Sequence, residues 1–105
     1  MVPGFAKMII PIPQTKVAFF CQKNQIRKLS LFGSVLTEHF RADSDIDVLV
    51  DFEQGHTPGL LAMARMEREL GEMLGGKIDL RTPGDLSRYF RDDVVASAVT
   101  QYERR

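Results

Sequence analysis

The chain has one cysteine, no net charge and no apolar run long enough to hide in a lipid bilayer. Each lack removes a class of protein. A lone Cys21 cannot close an internal disulfide, and with Phe19 and Phe20 beside it the thiol reads as buried and inert, which fits a reducing cytosol. Fourteen lysines and arginines offset fourteen aspartates and glutamates, with no block of one sign. No non-specific grip on a polynucleotide backbone is therefore expected, and a small substrate or a protein partner fits better. The apolar stretch Met8-Ile9-Ile10 is cut by Pro11 and Pro13 and is far shorter than a membrane span or the apolar part of a signal peptide. Nothing in the sequence reads as exporting or anchoring the chain. Internal repeats and low-complexity segments are also missing.

What is present suits one small domain. With 105 residues, 44% of them hydrophobic, the chain can bury a modest core and has little room for a second one. Residues 1–12 read as a loosely ordered leader, and 13–105 as the domain.

Pro13 suits a helix first turn, and Val17, Phe20 and Cys21 form an apolar stripe running to about Asn24. Lys28 to Phe32 reads as a strand ending at Gly33, where the backbone can turn tightly. A short helix or turn begins at Ser34. Asp45 to Val50 reads as a second strand, because aliphatic and β-branched residues dominate it and a turn-like Arg41-Ala42-Asp43-Ser44 precedes it. Thr57 and Pro58 signal the cap and first position of a long helix. Leu60, Met63, Ala64, Met66, Leu70, Met73 and Leu74 recur along it at three- and four-residue steps, and Gly75-Gly76 ends it. Its methionines read as core packing. Lys77 to Leu80 is a third strand, Thr82-Pro83 repeats the cap signal before a helical Gly84 to Phe90, and a final helix is expected over Asp92 to Glu103. This order predicts a small α/β (α+β) domain, a mixed sheet with helices on one face.

The chemistry lies in the strands. Side chains alternate across a strand, so Asp45 and Asp47 share one face while Ile46, Val48 and Val50 point to the core. Two adjacent carboxylates repel and raise one another's pKa unless a cation shares them, and magnesium, which takes hard oxygen ligands, is the natural one. In the third strand Asp79 points away from Ile78 and Leu80. If the two strands are neighbours, just under ~5 Å apart, Asp79 joins the pair and completes a cage for two metals about 4 Å apart. Asp79 would also lower the pKa of an attacking hydroxyl, as a base or through a metal. Gly33-Ser34, at a strand end before a turn, suits backbone and hydroxyl contacts to a phosphate.

Either motif alone is commonplace. At background frequencies, however, Gly-Ser and Asp-x-Asp at one fixed separation arise by chance in roughly one chain of this length in several hundred. His39 and His56 sit in a polar loop and before a helix cap, and neither reads as a ligand. The seven phenylalanines are spread along the chain. They read as core or interface, not as a stacking platform.

Leu31-Phe32-Gly33-Ser34 followed by Asp43-Ser44-Asp45-Ile46-Asp47-Val48-Leu49-Val50 resembles the signature of polymerase-β-type nucleotidyltransferases, and more narrowly of the minimal nucleotidyltransferase (MNT) family. The likeness continues through His56-Thr57-Pro58-Gly59, Lys77-Ile78-Asp79-Leu80, Thr82-Pro83 and Leu86 to Asp92, and covers about residues 13 to 103. It implies a polymerase-β palm-like fold. It further implies that Gly33 and Ser34 hold a triphosphate, that Asp45 and Asp47 bind two Mg2+ ions with Asp79 as third acid, and that AMP passes from ATP to an acceptor while pyrophosphate leaves. Members of this family often act as antitoxins beside a HEPN-domain toxin, some by adenylylating it, so the resemblance implies a HEPN-type partner that supplies the acceptor hydroxyl. Homo- or hetero-oligomers are both compatible with it.

The chain departs from the family pattern in one place. Where many relatives have an arginine and then a glycine after Gly-Ser, this chain has Val35-Leu36-Thr37-Glu38. Losing a charge-assisted phosphate contact costs about 1.5 to 3 kcal/mol, with Arg41 or Lys77 as substitutes, so weak or partner-dependent activity is implied. The departure keeps two other readings open. One is a binding module that neutralises its HEPN-type partner by sequestration, and the other is a nucleotide-sensing regulatory subunit.

Overall fold

The computed structural model describes residues 12–41 and 43–104. Most of the segment read as a leader lies outside the described residues, and Ile12 packs against the core. Helix α1 spans Gln14–Lys23, with Pro13 in extended backbone as its N-cap. Val17, Phe20 and Cys21 fall one turn apart and are buried. At its end the Asn24 side-chain amide and backbone N–H both donate to the Phe20 carbonyl, at 2.8 and 3.2 Å, closing the last turn.

Strand β1 (Ile26–Phe32) follows and runs into a 3-10 turn, Gly33–Leu36. Strand β2 is Ile46–Phe52, helix α2 Leu60–Leu74 and strand β3 Ile78–Arg81. A second 3-10 turn, Pro83–Asp85, leads to helix α3 (Arg91–Ser97) and strand β4 (Val99–Glu103). The sheet order is β3-β2-β1-β4, antiparallel except for the β2–β3 pair that α2 connects. A parallel neighbour requires such a crossover, and the amphipathic α2 fills it.

The core lies between the sheet and helices α1 and α2. Ile46, Val48 and Val50 of β2 meet Leu29 and Leu31 of β1, Ile78 and Leu80 of β3, and Met66 and Leu70 of α2. Met63 and Met73 pack against its margin, so the methionines serve the core as expected. Cys21 is fully buried and burial pushes its thiol up to about 12, which leaves it an unreactive packing group. Lys23 and Glu69 pair across the two helices.

Three expectations are corrected. The long helix starts at Leu60, because Gly59 is extended and acts as N-cap in place of Thr57. This leaves Leu60 outside the core, 89% exposed. The segment after Thr82-Pro83 makes one 3-10 turn: the cap signal is real, with Asp85 accepting from the Thr82 N–H and hydroxyl at 3.1 Å each, but the helix does not continue. The final helix stops at Ser97, and its second half is strand β4, paired to β1.

The opposite sheet face is only partly covered. Ser30 and Leu49 are buried there, Leu86 is buried outside the helix-side core, and the Pro83–Asp85 turn lies against β2. The end carrying the acids stays accessible to solvent.

At the outer edge of the sheet, Glu67 of α2 accepts the Leu80 backbone N–H at 2.9 Å. This occupies a donor that would otherwise stand open on an edge strand. Glu67→Ala leaves that part-buried donor unpaired and is expected to cost about 1 kcal/mol, while Glu67→Gln, which keeps an acceptor, costs less. Urea midpoints of the two variants check this, and equal midpoints would count against it.

Candidate active site

Three segments bring the acids together. The parallel register sets Asp47 directly beside Asp79, on the face away from the core. Asp45 falls just outside β2, not within it as the sequence reading had it, and is exposed. The turn before it is closed from both sides: the Ser44 N–H donates to the Arg41 carbonyl, and the Ser44 hydroxyl accepts from the Arg41 N–H, both at 3.0 Å.

The Gly-Ser turn is joined to the same carboxylate. Phe32 is the register partner of Asp47, so Gly33 comes next to it with φ +77°. A Cβ built on Gly33 would lie 2.2 Å from Asp47 Oδ2, inside any allowed contact. The left-handed backbone favours glycine here, and a side chain at this position would displace the Asp47 carboxylate. The turn Gly33–Leu36 has no side-chain cap on its first N–H groups. Val35 is buried and Leu36 packs against the core, so the first two residues of the departing segment fill space, while Thr37 and Glu38 are exposed.

The charges of Asp79 and Asp45 both act on Asp47. The carboxyl of Asp47 is raised above its ordinary value, first by burial, then by the charges of Asp79 and Asp45 and by a hydrogen bond with Asp79. Arg81 is the cation that lowers it. Arg81 also holds Asp79 in a two-pronged pair, Nε to Oδ1 at 2.9 Å and Nη2 to Oδ2 at 3.4 Å. Arg41 and Lys77, the substitutes named from sequence, are exposed and exert no such effect on Asp47. Arg81 was missed, although period two places it on the same face as Asp79.

The donor chemistry fits a hard divalent cation: carboxylate oxygens, with the charge on Asp47 disfavoured first by burial and then by its acidic neighbours. As the side chains stand, no three His, Cys, Asp or Glu residues among the described residues are gathered tightly enough to hold a metal. His39 and His56 are exposed and belong to no such group.

A parallel pair carrying adjacent acids, beside a glycine turn, in a small mixed sheet defines a domain of the nucleotidyl-transfer class. The chain belongs to the nucleotidyltransferase domain family, whose model matches residues 15–101. It is a nucleotidyltransferase of the minimal type.

Among curated proteins it is 40% identical to the protein adenylyltransferase MntA of Thermococcus cleftensis, over 70% of this chain and 73% of that protein. A crystal structure of a toxin–antitoxin with AMP-PNP superposes with a TM-score of 0.70 at 21% identity, covering 90% of this chain and 76% of that one. A tri-AMPylated Shewanella oneidensis HEPN toxin in complex with an MNT antitoxin gives 0.57 at 22% identity, covering 87% and 70%. At these identities the two structures speak for the fold. Among the described residues no helix is long and apolar enough to cross a membrane.

Proposed function

We infer that this chain moves AMP from ATP to a hydroxyl of a HEPN-type partner protein, as the antitoxin of a toxin–antitoxin pair, with Mg2+ as its metal. The observation that carries the reading is Asp47 seated between its register partner Asp79 and the backbone of Gly33. The adenylyltransferase relative and the AMPylated-toxin complex support the choice of nucleotide and acceptor.

Asp45, Asp47 and Asp79 would hold the metal ions, which when bound supply charge stabilisation to the α-phosphate and the leaving pyrophosphate. The rest falls to the chain. Gly33 and Ser34 bind the triphosphate through backbone N–H groups and the serine hydroxyl. Asp79 takes the proton of the acceptor hydroxyl while the acceptor oxygen bonds to the α-phosphorus and the bond from that phosphorus to the leaving pyrophosphate breaks. The domain offers little surface of its own for choosing an acceptor, so the partner brings it. A buried free thiol and no pairing cysteine suit a reducing cytoplasm.

Incubating the chain with α-labelled ATP, Mg2+ and its HEPN-type partner is expected to label the partner. Protection of cells without any label on the toxin would replace transfer by sequestration, the reading that the packed Val35-Leu36 segment favours.

A further inference from the structure

We propose that Arg81 exchanges partners during the reaction cycle: it occupies Asp79 while the site is empty and turns to the triphosphate tail when the acids take up metal. The inference rests on the transfer reading above.

Three observations carry it. The fork of Arg81 spans both oxygens of Asp79, and Asp79 is the register partner of Asp47, so one guanidinium serves as counter-ion to an acidic pair that would otherwise repel. Arg81 and Asp79 lie two residues apart on one strand face, which puts the guanidinium beside the acids. The turn after Gly33-Ser34 offers no cation of its own: it reads Val35-Leu36-Thr37-Glu38, and Val35 is committed to the core. The site then needs a phosphate-binding cation, and Arg81 is the one already there. A guanidinium suits both partners, since carboxylate and phosphate present similar two-oxygen edges.

Both side chains of the pair are partly exposed, at 46% and 34%, so the hold is weak enough for a divalent ion to displace. The exchange predicts effects of opposite sign. Free Mn2+ measured by EPR during titration of the full chain without nucleotide is expected to show Arg81→Gln binding Mn2+ about three- to tenfold more tightly than the parent. A non-hydrolysable ATP analogue with Mg2+, followed by calorimetry, is expected to bind that variant about tenfold more weakly. Arg81→Lys keeps the charge without the fork and should fall between parent and Arg81→Gln on both measures. It carries the test if the glutamine variant does not fold.

A merely structural arginine would weaken both ligands together. That result, or unchanged Mn2+ affinity, overturns the exchange. Parent protein with no Mn2+ binding sensitive to Asp47→Asn would remove the metal reading itself, and the exchange with it. Tight parent binding with no gain in Arg81→Gln removes the exchange alone.

Discussion

Asp47→Asn is expected to give a chain more stable than the parent at neutral pH without metal, yet about a thousandfold slower in AMP transfer. The two effects come from one cause. In the folded state the Asp47 carboxyl sits above the ordinary 3.8, raised by burial and by Asp79 and Asp45, so the native state binds its proton more tightly than the unfolded chain does. Stability from this group is therefore present in full below 3.8 and is lost as pH rises through the raised folded value. An asparagine has no charge to desolvate and removes the repulsion. In EDTA, the urea midpoint of the variant should exceed that of the parent at pH 7, and the gap should close as pH falls toward about 4.

Magnesium should invert the ranking, because it binds the folded parent and little else. A variant less stable than the parent at neutral pH in EDTA would mean that the acids do not repel. Undiminished transfer would remove Asp47 from the chemistry.

Much of this site was legible because a two-residue period is local. Apolar Ile46, Val48 and Val50 alternating with acids sufficed to orient Asp47, and Ile78 and Leu80 oriented Asp79 in the same way. That the two strands are neighbours was conditional on topology, and the parallel register meets the condition. Arg81 obeys the same period and shares the face of Asp79, but an arginine at a strand end carries no local signal of a site.

The rest depended on tertiary partners. Val99 to Glu103 carries the strand formers Val99, Thr100 and Tyr102, and it becomes a strand on the open edge of β1, pairing Leu31 with Val99 and Leu29 with Tyr102. Ala98, extended at φ −65° and ψ 141°, is where helix gives way. At Thr57-Pro58 the opposite occurred: a sound local signal lost to Gly59, which took the extended conformation two residues later.

Gly33→Ala is expected to lose about a hundredfold in transfer while losing no more stability than an alanine at a remote glycine. Gly33 and Gly55 share a left-handed backbone, at φ +77° and +80°, so alanine pays the same conformational strain at either, about 1 to 2 kcal/mol. They differ in what the new methyl meets. At Gly55 nothing lies within 4 Å, whereas at Gly33 the Asp47 atoms Oδ2, Cγ and Cβ stand at 2.2, 3.1 and 3.4 Å. The severe contact is with the free end of a side chain, and rotation about the Asp47 Cα–Cβ bond moves Oδ2 and Cγ away while Cβ, at a tolerable distance, stays. Relief by rotation costs far less than moving β2, whose backbone is bonded on both sides. The strain is therefore discharged into the position of one carboxylate, and a misplacement of about an ångström there is enough to slow the chemistry about a hundredfold without unfolding the chain. Paired urea melts and transfer rates of Gly33→Ala and Gly55→Ala measure the two quantities separately. Normal transfer by Gly33→Ala would show that Asp47 works from another rotamer, and equal loss of transfer by both variants would place the effect in general destabilisation.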